Sequence, residues 1–379
     1  MQYRKFERSG VKASVLGFGC MRLPVQAGVE GDPIDRPEAI RMIRKAIDSG
    51  VTYVDTAYGY HNGDSENLVG EALQDGYRER VLLATKLPVW KVEKYEDMER
   101  LLDEQLSKLK TDHVDFYLLH ALDKARFHQM RDLNVFKFLD DMVAKGKIKY
   151  PAFSFHDNAE AFREIVDSYP WHMAQIQMNV LDEFNQATLE GMKYAASKGI
   201  GIVIMEPLRG GALAAKLPEE IRALYEKAPV KRSAVEWAFR WLYDQPEIMT
   251  ILSGMSSMEQ LEDNLKIFEG ALPGAMTAEE KELMTQVRLA YESRVRVGCT
   301  GCEYCMPCPA GVQIPKIFRN LDSNAMFDTL DKFGGFYNKL VAEGHGADQC
   351  VKCGACESAC PQHFDIRDKL ESIHKEFAQ

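Results

Sequence analysis

Two groups of residues in this 379-residue chain have types and spacings that suit chemistry. The first is eight cysteines in two runs, Cys299, Cys302, Cys305 and Cys308, then Cys350, Cys353, Cys356 and Cys360. Cysteines two residues apart on a tight loop converge on one centre more readily than they bridge one another, and no secretory leader is evident, so metal binding is expected and disulfides are not. Cys20 stands alone and reads as a small buried hydrophobe. The second group is dispersed: Asp55, Tyr60, Lys86 and His120. If these four meet, the Lys86 ammonium favours the Tyr60 phenolate and lowers its pKa, Asp55 keeps Lys86 charged, and His120 hydrogen-bonds a substrate oxygen. The result is a proton donor aimed at an oxygen that gains charge as a carbonyl is reduced. The plainer alternative is a structural Asp55–Lys86 ion pair and a satisfied core histidine.

The elements that must position these residues follow from periodicity. Short apolar, β-branched runs at Ser14–Cys20, Val51–Asp55, Arg80–Thr85, Val114–Leu119, Ile148–Ser154, Met173–Met178, Gly201–Met205 and Met249–Ser253 alternate with amphipathic segments from Pro37 to Phe268. Eight strand–helix alternations with near-continuous apolar strands predict an α/β fold, a (β/α)8 TIM barrel. Asp55, Lys86 and His120 then close three successive strands, at the mouth where barrel catalytic groups gather. Tyr3–Glu7, followed by Ser9-Gly10, is expected to form a hairpin strand plugging the opposite end. A capping-box helix at Ala278–Tyr291 ends the barrel, giving domains 1–293 and 294–379, the second mainly α-helical. A net charge of −10 argues against nucleic acid or an anionic membrane as partner. The charged start Met1–Arg8 and the lack of any 18-residue apolar run predict a cytoplasmic protein.

The run Cys350-x2-Cys353-x2-Cys356-x3-Cys360-Pro361 resembles the cluster motif of bacterial-type ferredoxins, and Cys299 to Pro309 repeats it with one residue fewer before the last cysteine. In that pattern the fourth cysteine ligates the partner cluster. The resemblance therefore implies one [4Fe–4S] cluster on Cys299, Cys302, Cys305 and Cys360, and a second on Cys350, Cys353, Cys356 and Cys308. Zinc in two four-cysteine sites is the alternative, although zinc ribbons pair two C-x2-C knuckles at longer separation. The helical stretch between the runs resembles an α-helical dicluster ferredoxin-like domain.

Val54-Asp55-Thr56-Ala57 with Tyr60, Ala84-Thr85-Lys86, Val114 to His120, Gln175 to Asn179, Glu206 to Gly211 and Glu262 to Leu265 occur in an order that resembles the aldo-keto reductase family over residues 1 to 290. The resemblance implies NADP or NAD stretched across the barrel mouth and a small-molecule carbonyl substrate, with Tyr60 as general acid, Lys86 and Asp55 tuning it and His120 orienting the carbonyl. Ser154 and Gln175 match positions that hold the nicotinamide, with His156 and Met205 beside them where relatives have asparagine and an aromatic ring. Pro207, Leu208, Arg209, Gly210 and Gly211 fit the pyrophosphate contact. Gly254, Ser256, Gln260, Asp263 and Asn264 match the adenosine end, and Gly254 and Gln260 stand where a cation would clasp a 2′-phosphate. Substrate loops are expected at 90–95, 121–132 and 209–216, with Trp90 either lining the site or covering the rim. The cluster domain implies electron transfer and a redox partner protein. A competing reading makes the barrel a scaffold for an electron carrier or redox-responsive binding protein, and a third makes the clusters purely structural.

Overall fold

The computed structural model describes residues 1–215 and 217–378; Lys216, at the end of one expected substrate loop, lies outside them. The chain forms two compact units, one of Met1–Gly211 and Ser233–Ala278, the other of Ala212–Arg232 and the chain from Glu279 onward.

The first unit opens with an antiparallel pair, β1 (Tyr3–Lys5) and β2 (Lys12–Ser14). A closed barrel follows in chain order: β3 (Leu16–Gly19), β4 (Tyr53–Asp55), β5 (Leu82–Leu87), β6 (Val114–Leu122), β7 (Ile148–Phe155), β8 (Met173–Gln177), β9 (Gly201–Met205) and β10 (Ile248–Ser253), the last returning to β3. Every barrel pair is parallel. Parallel strands need apolar cover on both faces, and this is what the apolar runs supply. One face packs against the helices in a large cluster containing Val54, Leu83, Leu119 and Ile202. The other fills the barrel with Tyr53, Phe116, Leu118, Met173 and Val203. Phe6, just past β1, closes this interior, 5.1 Å from the Phe116 ring centre. A Cβ on Gly201 would overlap the Phe6 ring, so only glycine lets the plug seat.

Between Pro37 and Phe268 two helices lie where no amphipathic run marked them. Lys124–Asp132, after β6, is only weakly amphipathic, but the Asp123 carboxylate caps it by accepting from Arg126 N at 2.7 Å. Glu219–Lys227 buries only Ile221 and falls within the second unit. That unit also holds the helices Ile314–Met326, Leu330–Ala342, Ala355–Ala359 and Ile366–Phe377 around a core of Ile317, Phe318, Leu321, Phe333, Leu340 and Leu370. Among the described residues no helix is long and apolar enough to cross a membrane.

Candidate functional site

At the C-terminal ends of β4, β5 and β6 the barrel brings the dispersed polar residues together. Lys86 is wholly buried, and its ammonium donates to Asp55 Oδ1 at 2.7 Å, to the Thr56 carbonyl at 2.8 Å and to the Tyr60 hydroxyl at 3.4 Å. Burial works to lower the Lys86 pKa, but the neighbouring Asp55 carboxylate and Tyr60 outweigh it and hold the group protonated. The ring centres of Tyr60 and His120 lie 6.1 Å apart, edge to face. His120 is pushed down to about 2, first by burial and then by the positive charge of Lys86, so its imidazole is neutral. Trp90 stands half in solvent with its ring 5.1 Å from His120, which places its indole at the site.

The expected lowering of the Tyr60 pKa is not found. Burial pushes the phenol up, and the ammonium at 3.4 Å only partly offsets it. The phenol is thus held protonated, with the Lys86 ammonium placed where it would stabilise a phenolate.

Sequence reasoning missed the brace behind Lys86. Gln105 donates to the Lys86 carbonyl at 2.9 Å and to Glu66 Oε1 at 2.6 Å, while Thr85 donates to the same Glu66 oxygen and Tyr117 donates to Gln105 at 2.8 Å. A glutamine inside the apolar stripe of Tyr95–Leu109 was the signal that could have revealed it. The backbone after Tyr60 is also unusual: His61 and Asn62 both adopt positive φ, 49° and 55°, and His61 Nε2 accepts from Leu23 N.

Further round the mouth, Ser154 Oγ accepts from Ala121 N at 2.7 Å. Gln175 approaches Met205 Sδ at 3.8 Å, and its Oε1 is buried with no partner, an unmet acceptor of the kind a carboxamide N–H satisfies. His156 is exposed, Pro207 buried and Leu208 intermediate. Arg209, Gly210 and Gly211 turn through φ of 49°, 66° and 97°, which presents backbone at the surface. At the adenosine-end positions, Gln260 accepts from Ser256 N at 2.9 Å, Asn264 is buried and donates to Ser253 at 2.9 Å, and Asp263 is exposed. Arg22, not singled out from sequence, runs its stem past Gly254 and its guanidinium to within 3.4 Å of where a Gly210 Cβ would sit. Its place just after β3, at the same mouth as Asp55, was the available signal.

In the second unit none of the eight clustered cysteines forms a disulfide. Cys299, Cys302, Cys305 and Cys360 line one cavity. Cys308, Cys350, Cys353 and Cys356 line another, with Cys305 on the shared wall. Gly301 and Gly354, with φ of 73° and 80°, make the tight turns inside the two motifs. Among the described residues no three His, Cys, Asp or Glu side chains close on a single ion; the thiols ring cavities instead.

Residues 15–284 match the aldo/keto reductase family model, and residues 298–364 match a 4Fe-4S dicluster domain. Aldo-keto reductase YhdN of Bacillus subtilis is 27% identical over 298 residues, covering 69% of this chain and 87% of that protein. Probable aldo-keto reductase 1 of Glycine max is 26% identical over 315 residues, 74% of this chain and 86% of its own length. Among solved structures, the holo form of aldo-keto reductase AKR11C1 from Bacillus halodurans superposes with a TM-score of 0.64 at 26% identity, over 76% of this chain and 96% of that one. An aldo-keto reductase from Klebsiella pneumoniae in complex with NADPH shares the fold, with a TM-score of 0.58 at 20% identity. This chain therefore belongs to the aldo-keto reductase family and carries a 4Fe–4S dicluster domain beyond its (β/α)8 barrel.

Proposed function

We propose that the protein reduces a small carbonyl compound with NADPH or NADH and carries two [4Fe–4S] clusters for electron transfer. The observation that supports the reading most is the buried chain Asp55–Lys86–Tyr60 at the strand ends. Bound NAD(P)H supplies the hydride. Tyr60 gives the proton to the carbonyl oxygen, a role that fits a phenol which burial keeps protonated. Lys86 stabilises the phenolate left behind, and Asp55 and the Thr56 carbonyl fix the ammonium in place. His120, neutral, donates a hydrogen bond to the substrate oxygen without adding a charge. Trp90 walls the substrate. Ser154, Gln175, His156 and Met205 hold the nicotinamide end, Pro207 to Gly211 the pyrophosphate, and Gly254, Ser256, Gln260, Asp263 and Asn264 the adenosine.

The cluster quartets are Cys299, Cys302, Cys305 and Cys360 for one centre and Cys350, Cys353, Cys356 and Cys308 for the other, matching the two cavities. A redox partner protein exchanges electrons with them. The family fold and the acidic net charge support a cytoplasmic enzyme acting on small molecules.

Oxidation of NADPH and NADH with a panel of aldehydes and ketones tests the reductase reading. Tyr60→Phe should slow turnover by roughly 10²–10⁴-fold while leaving cofactor quenching of Trp90 fluorescence in place. Wild-type protein that neither binds nor oxidises either cofactor would instead favour the scaffold reading.

A further inference from the structure

The two cysteine motifs are an internal repeat, and the repeat extends into the helices that follow. Counting from the fourth cysteine, Asp322 stands 14 residues after Cys308 and His374 stands 14 residues after Cys360. In the structure these two positions serve the same place, the backbone just ahead of the first cysteine of each motif, with different chemistry. The Asp322 side chain, nearly buried, accepts from four consecutive backbone N–H groups: Arg296 and Val297 at 2.9 and 2.8 Å, Gly298 at 2.9 Å and Cys299 at 3.4 Å. On the other side, His374 meets the Tyr337 hydroxyl at 2.9 Å, and that hydroxyl takes a single N–H, from Ala347. The N–H of Cys350 goes to the Ala347 carbonyl.

A cluster gains negative charge when it is reduced, so a buried carboxylate beside a ligating cysteine opposes reduction. Backbone N–H groups that reach cluster sulfur favour reduction, and Asp322 removes two such candidates, Gly298 N and Cys299 N, from that role. Both effects have the same sign. Arg319, on the same helix, lies over the Gly301 turn and opposes them, but it is exposed and screened where Asp322 is not. Beside the second motif, Arg367 is neutralised by Glu357 at 2.7 Å and Lys352 by Glu371 at 2.8 Å.

We propose that Asp322 makes the two clusters unequal: the cluster on Cys299, Cys302, Cys305 and Cys360 is the harder to reduce, and a single electron resides on the cluster of Cys350, Cys353, Cys356 and Cys308. The inference rests on the two-cluster reading given above.

An anaerobic potentiometric titration of the full holoprotein, followed by EPR, tests it. Two reduction steps are expected, separated by at least tenfold in equilibrium constant, about 59 mV for one electron. Asp322→Asn should raise the lower step by about that amount and leave the upper one in place. His374→Asp, which puts a carboxylate on the other side, should lower the upper step. Coincident steps in the wild type overturn the proposal. So does an Asp322→Asn protein of wild-type iron content whose lower step has not moved. If Asp322→Asn loses iron, the result turns on the wild-type gap and on His374→Asp, and an unmoved upper step there overturns the proposal. An iron and sulfide count that fails to match two [4Fe–4S] clusters in the wild type is a separate failure, that of the two-cluster reading itself.

Discussion

Lys86 is the residue on which the barrel site turns, because its ammonium has no water to fall back on. Lys86→Met would leave Asp55 as an unpaired buried charge, a loss of about 3–5 kcal/mol by the usual cost of breaking such a pair. Urea denaturation should show it, whereas replacing Asp55 and Lys86 together should recover much of the stability but none of the turnover. His120 makes a second, independent prediction. With the folded imidazole at about 2 and the unfolded one near 6.5, the unfolded chain binds the extra proton. Stability from this group is therefore fully present above pH 6.5 and falls as the pH drops below it, by at most about 1.4 kcal/mol per pH unit. His120→Asn should flatten that slope in thermal melts, and the reductase pH profile should show no His120 inflection between pH 5 and 8. The four residues themselves were legible in the sequence because each ends or follows a recognisable strand. The direction of the Tyr60 shift was not, since it depends on how much apolar wall surrounds the phenol, and that is set by side chains distant in the chain.

At the scale of elements, the helix Ser65–Ala72 carries the backbone from Tyr60 back onto the barrel, and it packs directly on the helix Tyr95–Leu109. Gly70 permits this closeness: a Cβ there would press on the Lys108 carbonyl oxygen and lie 2.8 Å from the Leu109 carbonyl carbon. Gly70→Ala should cost about 1–3 kcal/mol, read as a lowered unfolding midpoint. Because Glu66 and Gln105 sit on these same two helices, the substitution should also reduce turnover through a loosened Lys86. Strands were readable because their apolar runs are short and sharply bounded. The helix Lys124–Asp132 was not, because a single cap at Asp123 stabilises it where periodicity is absent. Trp90 illustrates the same limit, since a loop aromatic reveals its neighbour only once the loop is folded.

At the scale of the whole molecule, the second unit has a modest apolar core against which Cys299, Cys305, Cys308, Cys350, Cys356 and Cys360 are packed, so iron should be part of its stability. Anaerobic chelation is expected to reduce helical circular dichroism and to expose thiols to titrating reagent; unchanged ellipticity after complete iron loss would contradict this. The division of the chain has a further consequence for how the protein is made. The second unit takes Ala212–Arg232 from the middle of the barrel sequence, before Ser233–Ala278 has supplied β10 and its flanking helices. At about 5–20 residues per second, a ribosome releases Glu219–Lys227 several seconds before the partner residue Arg294, which pairs with Glu220 at 2.6 Å. Neither unit can therefore mature as an uninterrupted block during translation, and the nascent chain must wait, half assembled, for its own far end.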